Sequence, residues 1–197
     1  MICKEEILMK YDLSKHTSRS AQRFLNTSSA TMLELLTKKD FDTITVSEIC
    51  QLSNYPRATF YNYFEDKYDL VNYCWYSLLQ KVNFDEVFAC HSEKQLFNFF
   101  DRVYHFAIQN EDKINAILLR NDSKSNLVSG FVSYVKDYVQ EKFRTNFTKS
   151  EIPIPLDLLS DFHSNTVLLI LNWIFIEQHP TSLEQAHTYI RYFLNLD

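Results

Sequence analysis

The sequence predicts an all-α protein, because residues that form tight turns are scarce while apolar residues recur at helical spacing. Gly130 is the only glycine among 197 residues, and four prolines occur, so hairpins and bulges have few positions available. Hydrophobic residues make up 46% of the chain, which is enough for one large domain or two small ones. We therefore expect helices throughout, about nine in total.

The first three predicted helices form a helix-turn-helix unit. Apolar spacing predicts a helix over residues 18–38, and the capping-box pattern Thr45-x-x-Glu48 opens a short helix over 45–53. A third helix is predicted to start at Pro56, because the fixed φ and missing N–H of proline suit a first helical position. Two short helices joined by a turn, after a longer helix, are typical of helix-turn-helix proteins.

The segment PRATFYNYF, residues 56–64, has two possible periods. As a strand it would have no face that is cleanly apolar or cleanly polar. As a helix it places Phe60 and Phe64 on one stripe and turns the other side chains away from the core. The outward positions are Arg57, Ala58, Thr59, Tyr61 and Asn62. We expect this short helix to combine a buried stripe with an exposed polar face.

Six further helices are predicted, over residues 67–84, 96–106, 113–120, 127–147, 156–178 and 183–196. The prolines of IPIP, residues 152–155, place a loop before the fifth of these. The helix from residue 67 is expected to link a helix-turn-helix domain, residues 1–66, to a larger helical domain, residues 67–197.

The predicted helix over residues 156–178 is apolar on nearly all sides in its second half. Burial on every side requires a second surface beyond the domain's own core, and an isologous dimer formed by the last two helices would supply it. The alternative is a helix that lies wholly inside the core of a monomer.

Neither a membrane span nor a secretory signal is recognisable in the sequence. The longest apolar run, VLLILNWIFI, covers only residues 167–176 and includes Asn172, whereas a span needs about 18 apolar residues. The start, MICKEEILMKYDL, lacks a basic region followed by a long apolar stretch and a cleavage site. We expect a cytoplasmic protein with no membrane partner.

The net charge of −5 is unevenly distributed along the chain. Residues 1–64 carry eight Lys or Arg and seven acidic residues, a balance of +1, so the remainder carries −6. A basic face on the N-terminal third is therefore compatible with the acidic total, although its field would be weak.

Catalytic and metal-binding patterns are lacking. The four cysteines form no C-x-x-C pair, and reduced core thiols are favoured over a metal or redox site; they are Cys3, Cys50, Cys74 and Cys90. The histidines form no H-E-x-x-H pattern, and one glycine cannot build a phosphate-binding loop. We predict a protein that is not an enzyme and that has no metal or cofactor.

The segment TVSEICQLSNYPRATFYNYFEDKYDL, residues 45–70, resembles the DNA-binding segment of the tetracycline-repressor (TetR) family of transcription regulators. The matching positions are Thr45, Ile49, Thr59, Phe60, Tyr61, Phe64, Lys67 and Leu70. The resemblance implies a homodimer that binds a palindromic operator in double-stranded DNA, with repression as the expected outcome and a small-molecule effector in the C-terminal domain. The residues themselves leave the operator, the effector and the sign of regulation open, so repression is expected from the resemblance alone.

A recognition helix that enters the major groove by its N-terminus would bring Arg57, Ala58, Thr59 and Asn62 to base edges. The resemblance further implies phosphate contacts, which fix register without reading sequence, by Thr45, Tyr61, Tyr63 and Lys67. Ordinary solvated charges and packed tyrosines are the alternative interpretation of these residues.

Several positions depart from the family pattern. Asp40, Asn54 and Ala58 stand where the family commonly has glycine, and Tyr63 stands where it commonly has histidine. Asp and Asn tolerate the left-handed conformation, so Asp40 and Asn54 are expected to end their helices as glycine would. Pro56 replaces a common serine.

Aromatic residues are frequent where the effector pocket of a TetR-like protein would lie. The candidates are Phe100, Tyr104, Phe131, Tyr134, Tyr138 and His163. Simple core packing is the alternative for all of them.

A second function also stays open: a helical ligand-sensing co-regulator that acts through another protein without binding DNA itself.

Overall fold

The computed structural model describes residues 10–11, 18–82, 94–146 and 154–195, and the regular elements within these ranges are all helical. The α-helices are α1 (Arg19–Leu36), α2 (Val46–Ser53), α3 (Arg57–Tyr63), α4 (Lys67–Val82), α5 (Lys94–Gln109), α6 (Glu111–Arg120), α7 (Asn126–Asn146), α8 (Leu156–Leu171) and α9 (Leu183–Leu194). A 3-10 turn (Phe41–Thr43) joins α1 to α2, and a π-helical segment (Asn172–Ile176) continues α8. The predicted all-α class is confirmed.

Two helix ends differ from the sequence prediction. Pro56 is the N-cap of α3 and not its first helical residue, because its extended ψ of 146° lets its carbonyl accept from the N–H groups of Thr59 and Phe60. The predicted helix over 156–178 changes to π-helical geometry at Asn172, and Gln178 lies outside it with a left-handed φ of 58°.

Asn54 and Asp40 adopt different backbone conformations, although both stand where glycine is common in the family pattern. Asn54 ends α2 in the left-handed conformation (φ 57°, ψ 42°), as predicted. The prediction for Asp40 is wrong, because this residue is extended (φ −62°, ψ 137°) and its carboxylate accepts the N–H of Asp42 at 2.7 Å. Asp40 therefore starts the 3-10 turn and does not terminate α1.

Helix α4 contributes to two hydrophobic cores. Val71 and Cys74, in its first half, pack into an N-terminal core built around α1, α2 and α3. Leu79 and Val82, in its second half, pack into a C-terminal core that includes residues of α5, α7, α8 and α9. The domain limit at residues 66 and 67 stays a prediction, but α4 is the physical link that the sequence indicated.

Gly130 permits a close approach of α7 to α4. A Cβ atom at this position would lie 2.9 Å from the far edge of the Trp75 indole. Trp75 packs against both cores and also contacts Tyr134, with ring centroids 5.6 Å apart. Glycine is therefore required at residue 130 for the indole to keep this position.

Cys50 and Cys74 are buried, unbridged thiols, as predicted. Burial raises the pKa of both, and the nearby charge of Arg57 partly offsets this effect at Cys50. Cys3 and Cys90 lie outside the described residues.

Residues Asp157–Ile176 form the one described segment that is long and apolar enough to cross a membrane by length and composition alone, with a mean hydropathy of 1.2. The segment packs against α5, α7 and α9, as expected for a helix of a folded core.

Candidate nucleic-acid interface

Helix α3 is anchored by two fully buried phenylalanines. Phe60 and Phe64 are each 0% exposed, and the ring of Phe64 lies 5.5 Å from that of Phe60 and 6.0 Å from that of Phe24 in α1, measured between centroids. The sequence prediction that this stripe belongs to the core is confirmed. Because four residues separate the two rings, burying them fixes the rotation of α3 about its axis.

The opposite side of α3 is open to solvent. Arg57, Ala58 and Asn62 are exposed, Tyr61 is 41% exposed and Thr59 is half-buried. These residues carry a guanidinium, a methyl group, an amide, a phenol and a hydroxyl, which are groups that recognise base edges and phosphates. The structure thus brings all four predicted base-reading residues and Tyr61 onto one short helix that projects from the N-terminal core.

Thr45 caps α2, the helix that precedes α3. Its Oγ1 accepts the N–H of Glu48 at 3.3 Å, as the predicted capping box requires. In a complete capping box the Glu48 carboxylate would also accept the backbone N–H of Thr45. Instead, both of its oxygens accept from the Lys39 ammonium at 2.6 Å. A phosphate that approached the N-terminus of α2 would therefore meet the Thr45 cap beside a Lys39–Glu48 ion pair.

The side chain of Tyr63 is less exposed to solvent than that of its neighbour Tyr61. The Tyr63 ring is half-buried, with its centroid 4.8 Å from that of Phe24 and 5.7 Å from that of Tyr11. Tyr61 lies on the outer face, and its backbone carbonyl accepts from the Lys10 ammonium at 2.5 Å. The alternative interpretation of Tyr63, packing over neighbouring helices, describes its position in the fold.

Lys67 has an internal role that the sequence did not reveal. Its ammonium donates to the carbonyl oxygens of Phe41 at 2.8 Å, Asp42 at 2.9 Å and Ile44 at 3.0 Å. It also lies 4.6 Å from the centroid of the Phe41 ring, a cation–π distance. All three of its donors have carbonyl partners, so a phosphate contact by this ammonium would require at least one of these bonds to break.

Sequence reasoning missed the capping arrangement at the start of α4. Asp66 Oδ1 accepts the N–H groups of Tyr68 and Asp69, and the buried Asp69 carboxylate accepts from the N–H groups of Glu65 and Lys10. Burial raises the pKa of Asp69, and the two N–H bonds partly offset that effect. The spacing Asp66-x-x-Asp69 before an apolar helix was the available signal.

The candidate effector residues lie in or around the C-terminal core. Phe100, Tyr104 and Tyr134 are buried, and the Tyr104 hydroxyl donates to the Thr181 carbonyl at 2.9 Å. Burial raises the pKa of Tyr104 and of Tyr134. The other three candidates, Phe131, Tyr138 and His163, are half-buried. A ligand role for the six stays a prediction, and core packing accounts for the first three.

A model of the family described as bacterial regulatory proteins, tetR family, matches residues 30–74, which run from α1 through the helix-turn-helix into α4. The helix-turn-helix region of the chain is therefore of the tetR type. The match covers the same helices whose outward face carries the predicted DNA contacts. No curated protein sequence matches the chain.

The tetR-like fold extends over nearly the whole chain. A TetR-family transcriptional regulator from Syntrophomonas wolfei is similar with a TM-score of 0.66 and 16% identity, covering 89% of this chain and 95% of that one. A TetR transcriptional regulator from Streptococcus agalactiae reaches 0.54 and 24% identity, with 91% and 96% covered. The dihydroxyacetone kinase operon activator DhaS reaches 0.53 and 14% identity, with 87% and 94% covered. At these identities the likeness is one of fold.

Proposed function

We propose that this protein is a tetR-family transcriptional regulator of the cytoplasm that binds palindromic operator DNA as a homodimer, with its DNA affinity controlled by a small ligand in the C-terminal domain. Arg57, Ala58, Thr59 and Asn62 read base edges, while Tyr61 and the Thr45 region contact phosphates. The observation that carries the proposal is the division of α3 into a fully buried phenylalanine stripe and an exposed polar face.

An exposed apolar stripe on α8, its π-helical continuation and α9 supports the dimer. Leu158, Phe162, Leu169 and Trp173 recur at spacings of four, seven and four residues, and they are 60%, 51%, 58% and 45% exposed. Helical residues at these intervals lie on one face. Tyr192 and Phe193 of the adjacent α9 are 84% and 52% exposed. A second copy of the same surface, related by a two-fold axis, would cover both helices.

The dimer supplies the geometry that operator recognition requires. Two copies of α3 held about 34–36 Å apart would enter successive major grooves on one side of the duplex. A ligand that binds better to a different spacing would then lower the affinity for DNA. The partly exposed aromatic candidates, Phe131 and Tyr138, favour an apolar or aromatic ligand.

Selection of bound duplexes from a random pool tests the proposal most directly. The expected result is an enriched palindrome whose affinity for the protein falls as salt concentration rises, because phosphate contacts release counterions. A protein that enriches no duplex at any salt concentration but binds another protein would refute the DNA-binding function in favour of the co-regulator alternative. The selected operator, placed before a reporter gene, then measures the sign of regulation, for which we expect repression.

A further inference from the structure

Asn121, at the C-terminal end of α6, reaches from the C-terminal helices into the helix-turn-helix domain. Its side chain is buried, with the residue only 1% exposed, and its Oδ1 accepts the backbone N–H of Phe41 at 2.8 Å across 80 positions of sequence. Its Nδ2 donates to the carbonyl of Ile117, one turn earlier in α6, at 3.1 Å. The amide oxygen therefore bonds to the other domain, and the amide nitrogen bonds within α6.

Phe41 is held from its other side by Lys67. The carbonyl of Phe41 accepts from the Lys67 ammonium, which also lies over the Phe41 ring, while that ring is buried in the N-terminal core. The N–H is held by α6 and the C=O by the first residue of α4. Three residues separate Lys67 from the end of α3, so the contacts lead from α6 through the 3-10 turn to the start of α4, close in sequence to the proposed recognition helix.

Apolar contacts reinforce the same connection. Leu127, in the first turn of α7, is buried in the N-terminal core, and Ile117 of α6 packs against that core. The corner between α6 and α7 thus meets the helix-turn-helix domain through two apolar side chains and the Asn121 hydrogen bond. The apolar contacts are non-directional, whereas the hydrogen bond fixes a distance and an angle.

We infer that Asn121 is a positioning residue for DNA binding: its hydrogen bond to the Phe41 N–H sets the orientation of the helix-turn-helix domain relative to α6. A shift of the C-terminal end of α6 must either move the Phe41 backbone with it or break this bond. Breaking it leaves a buried N–H without an acceptor, which is costly, so moving together is favoured. The inference rests on the proposed DNA-binding function for its consequence, but the bond itself can be tested without DNA.

Two substitutions separate the bonds of Asn121. Asn121→Ser retains a hydroxyl near the Ile117 carbonyl, to which the backbone N–H of residue 121 also donates, but its side chain is too short for the Phe41 N–H. Asn121→Asp keeps an acceptor for that N–H but loses the Nδ2 donor. Asn110→Ser is the matched control, because Asn110 Nδ2 donates to the Phe106 carbonyl one turn earlier at 2.8 Å in the same local manner.

Two measurements are made on each full-length variant after circular dichroism has shown that it folds. Amide hydrogen exchange at Phe41 is followed with phenylalanine labelled at the backbone nitrogen, and affinity is measured for the selected duplex. For Asn121→Ser we expect faster exchange at Phe41 and affinity lower by about three- to tenfold, because the binding-competent orientation becomes less populated. Asn121→Asp should stay closer to the unmodified protein in both readouts, and Asn110→Ser should change neither.

Unchanged exchange at Phe41 in Asn121→Ser would overturn the inference even if no duplex were found, so its failure is distinguishable from failure of the proposed function. Faster exchange with unchanged duplex affinity would also overturn it, since the bond would then be structural only. Equal losses of duplex affinity in Asn121→Ser and Asn110→Ser would also overturn the inference, because the control variant does not touch the bond to Phe41. Asn121→Gln, which is one methylene too long to keep both bonds, replaces the serine variant if that variant does not fold.

Discussion

Replacement of Lys67 by methionine distinguishes a structural role of this lysine from a role in contacting DNA. The substitution keeps most of the aliphatic stem but removes the donors to the carbonyls of Phe41, Asp42 and Ile44. A hydrogen bond to a charged group contributes about 1.5–3 kcal/mol when buried. The bonds to Phe41 and Ile44 are partly buried, whereas the bond to Asp42 is exposed and water can replace it.

We therefore expect Lys67→Met to lower the free energy of unfolding by about 3 kcal/mol, most of it from the two partly buried bonds. The assay is urea unfolding at neutral pH, with the dependence on denaturant expected to stay unchanged. Lys38→Met is the control, because the Lys38–Glu34 ion pair lies on the surface with side chains 63% and 62% exposed. Its removal should not change stability measurably.

DNA affinity as a function of salt distinguishes the two roles of Lys67. A lysine that contacts phosphate contributes about one unit to the slope of log affinity against log salt. If Lys67 acts through the 3-10 turn, the folded Lys67→Met protein should bind the operator more weakly with nearly the same slope. A full unit lost from the slope, together with unchanged stability, would refute the structural assignment.

Three further predictions concern the dimer, the recognition helix and pH. Leu169→Glu should dissociate the proposed dimer in analytical ultracentrifugation, whereas Leu119→Glu, at a position 79% exposed on α6, should leave it intact. Asn62→Ala should relax sequence preference at one operator position, whereas Tyr61→Phe should weaken binding to all operator sequences alike. Because burial raises the pKa of Asp69, the folded chain holds this proton more tightly than the unfolded chain. Stability should therefore fall as pH rises above the ordinary aspartate value of about 4, and Asp69→Asn should reduce that slope in thermal unfolding.

Sequence periodicity was sufficient to predict the helices and to assign the buried and exposed faces of α3. Apolar side chains at helical spacing have to meet a core, so Phe60 and Phe64 could be assigned before their neighbours were known. The same reasoning found the left-handed end of α2 at Asn54, because only a few residue types tolerate that conformation. These features depend on residues close together in the chain.

The roles of individual polar side chains could not be obtained in this way. Lys67 matches a position where a phosphate contact is expected, yet its partners are carbonyls 23 to 26 residues earlier in the sequence. Asn121 pairs with Phe41 across 80 residues, and no local pattern marks either partner. Asp40 was expected to behave like glycine, but its carboxylate bonds to a nearby N–H and keeps the backbone extended. In each case hydrogen bonds of the side chain, which periodicity does not describe, decided the outcome.

The contact between Gly130 and Trp75 provides an optical reporter without any label. Trp75 is one of two tryptophans and lies where both cores meet, whereas Trp173 is 45% exposed and its ring stacks on His179 with centroids 3.5 Å apart. Trp173→Phe would leave a single indole whose emission depends on the separation of α4 from α7. Sliding of these helices past one another would therefore appear as a fluorescence change in the otherwise unlabelled protein.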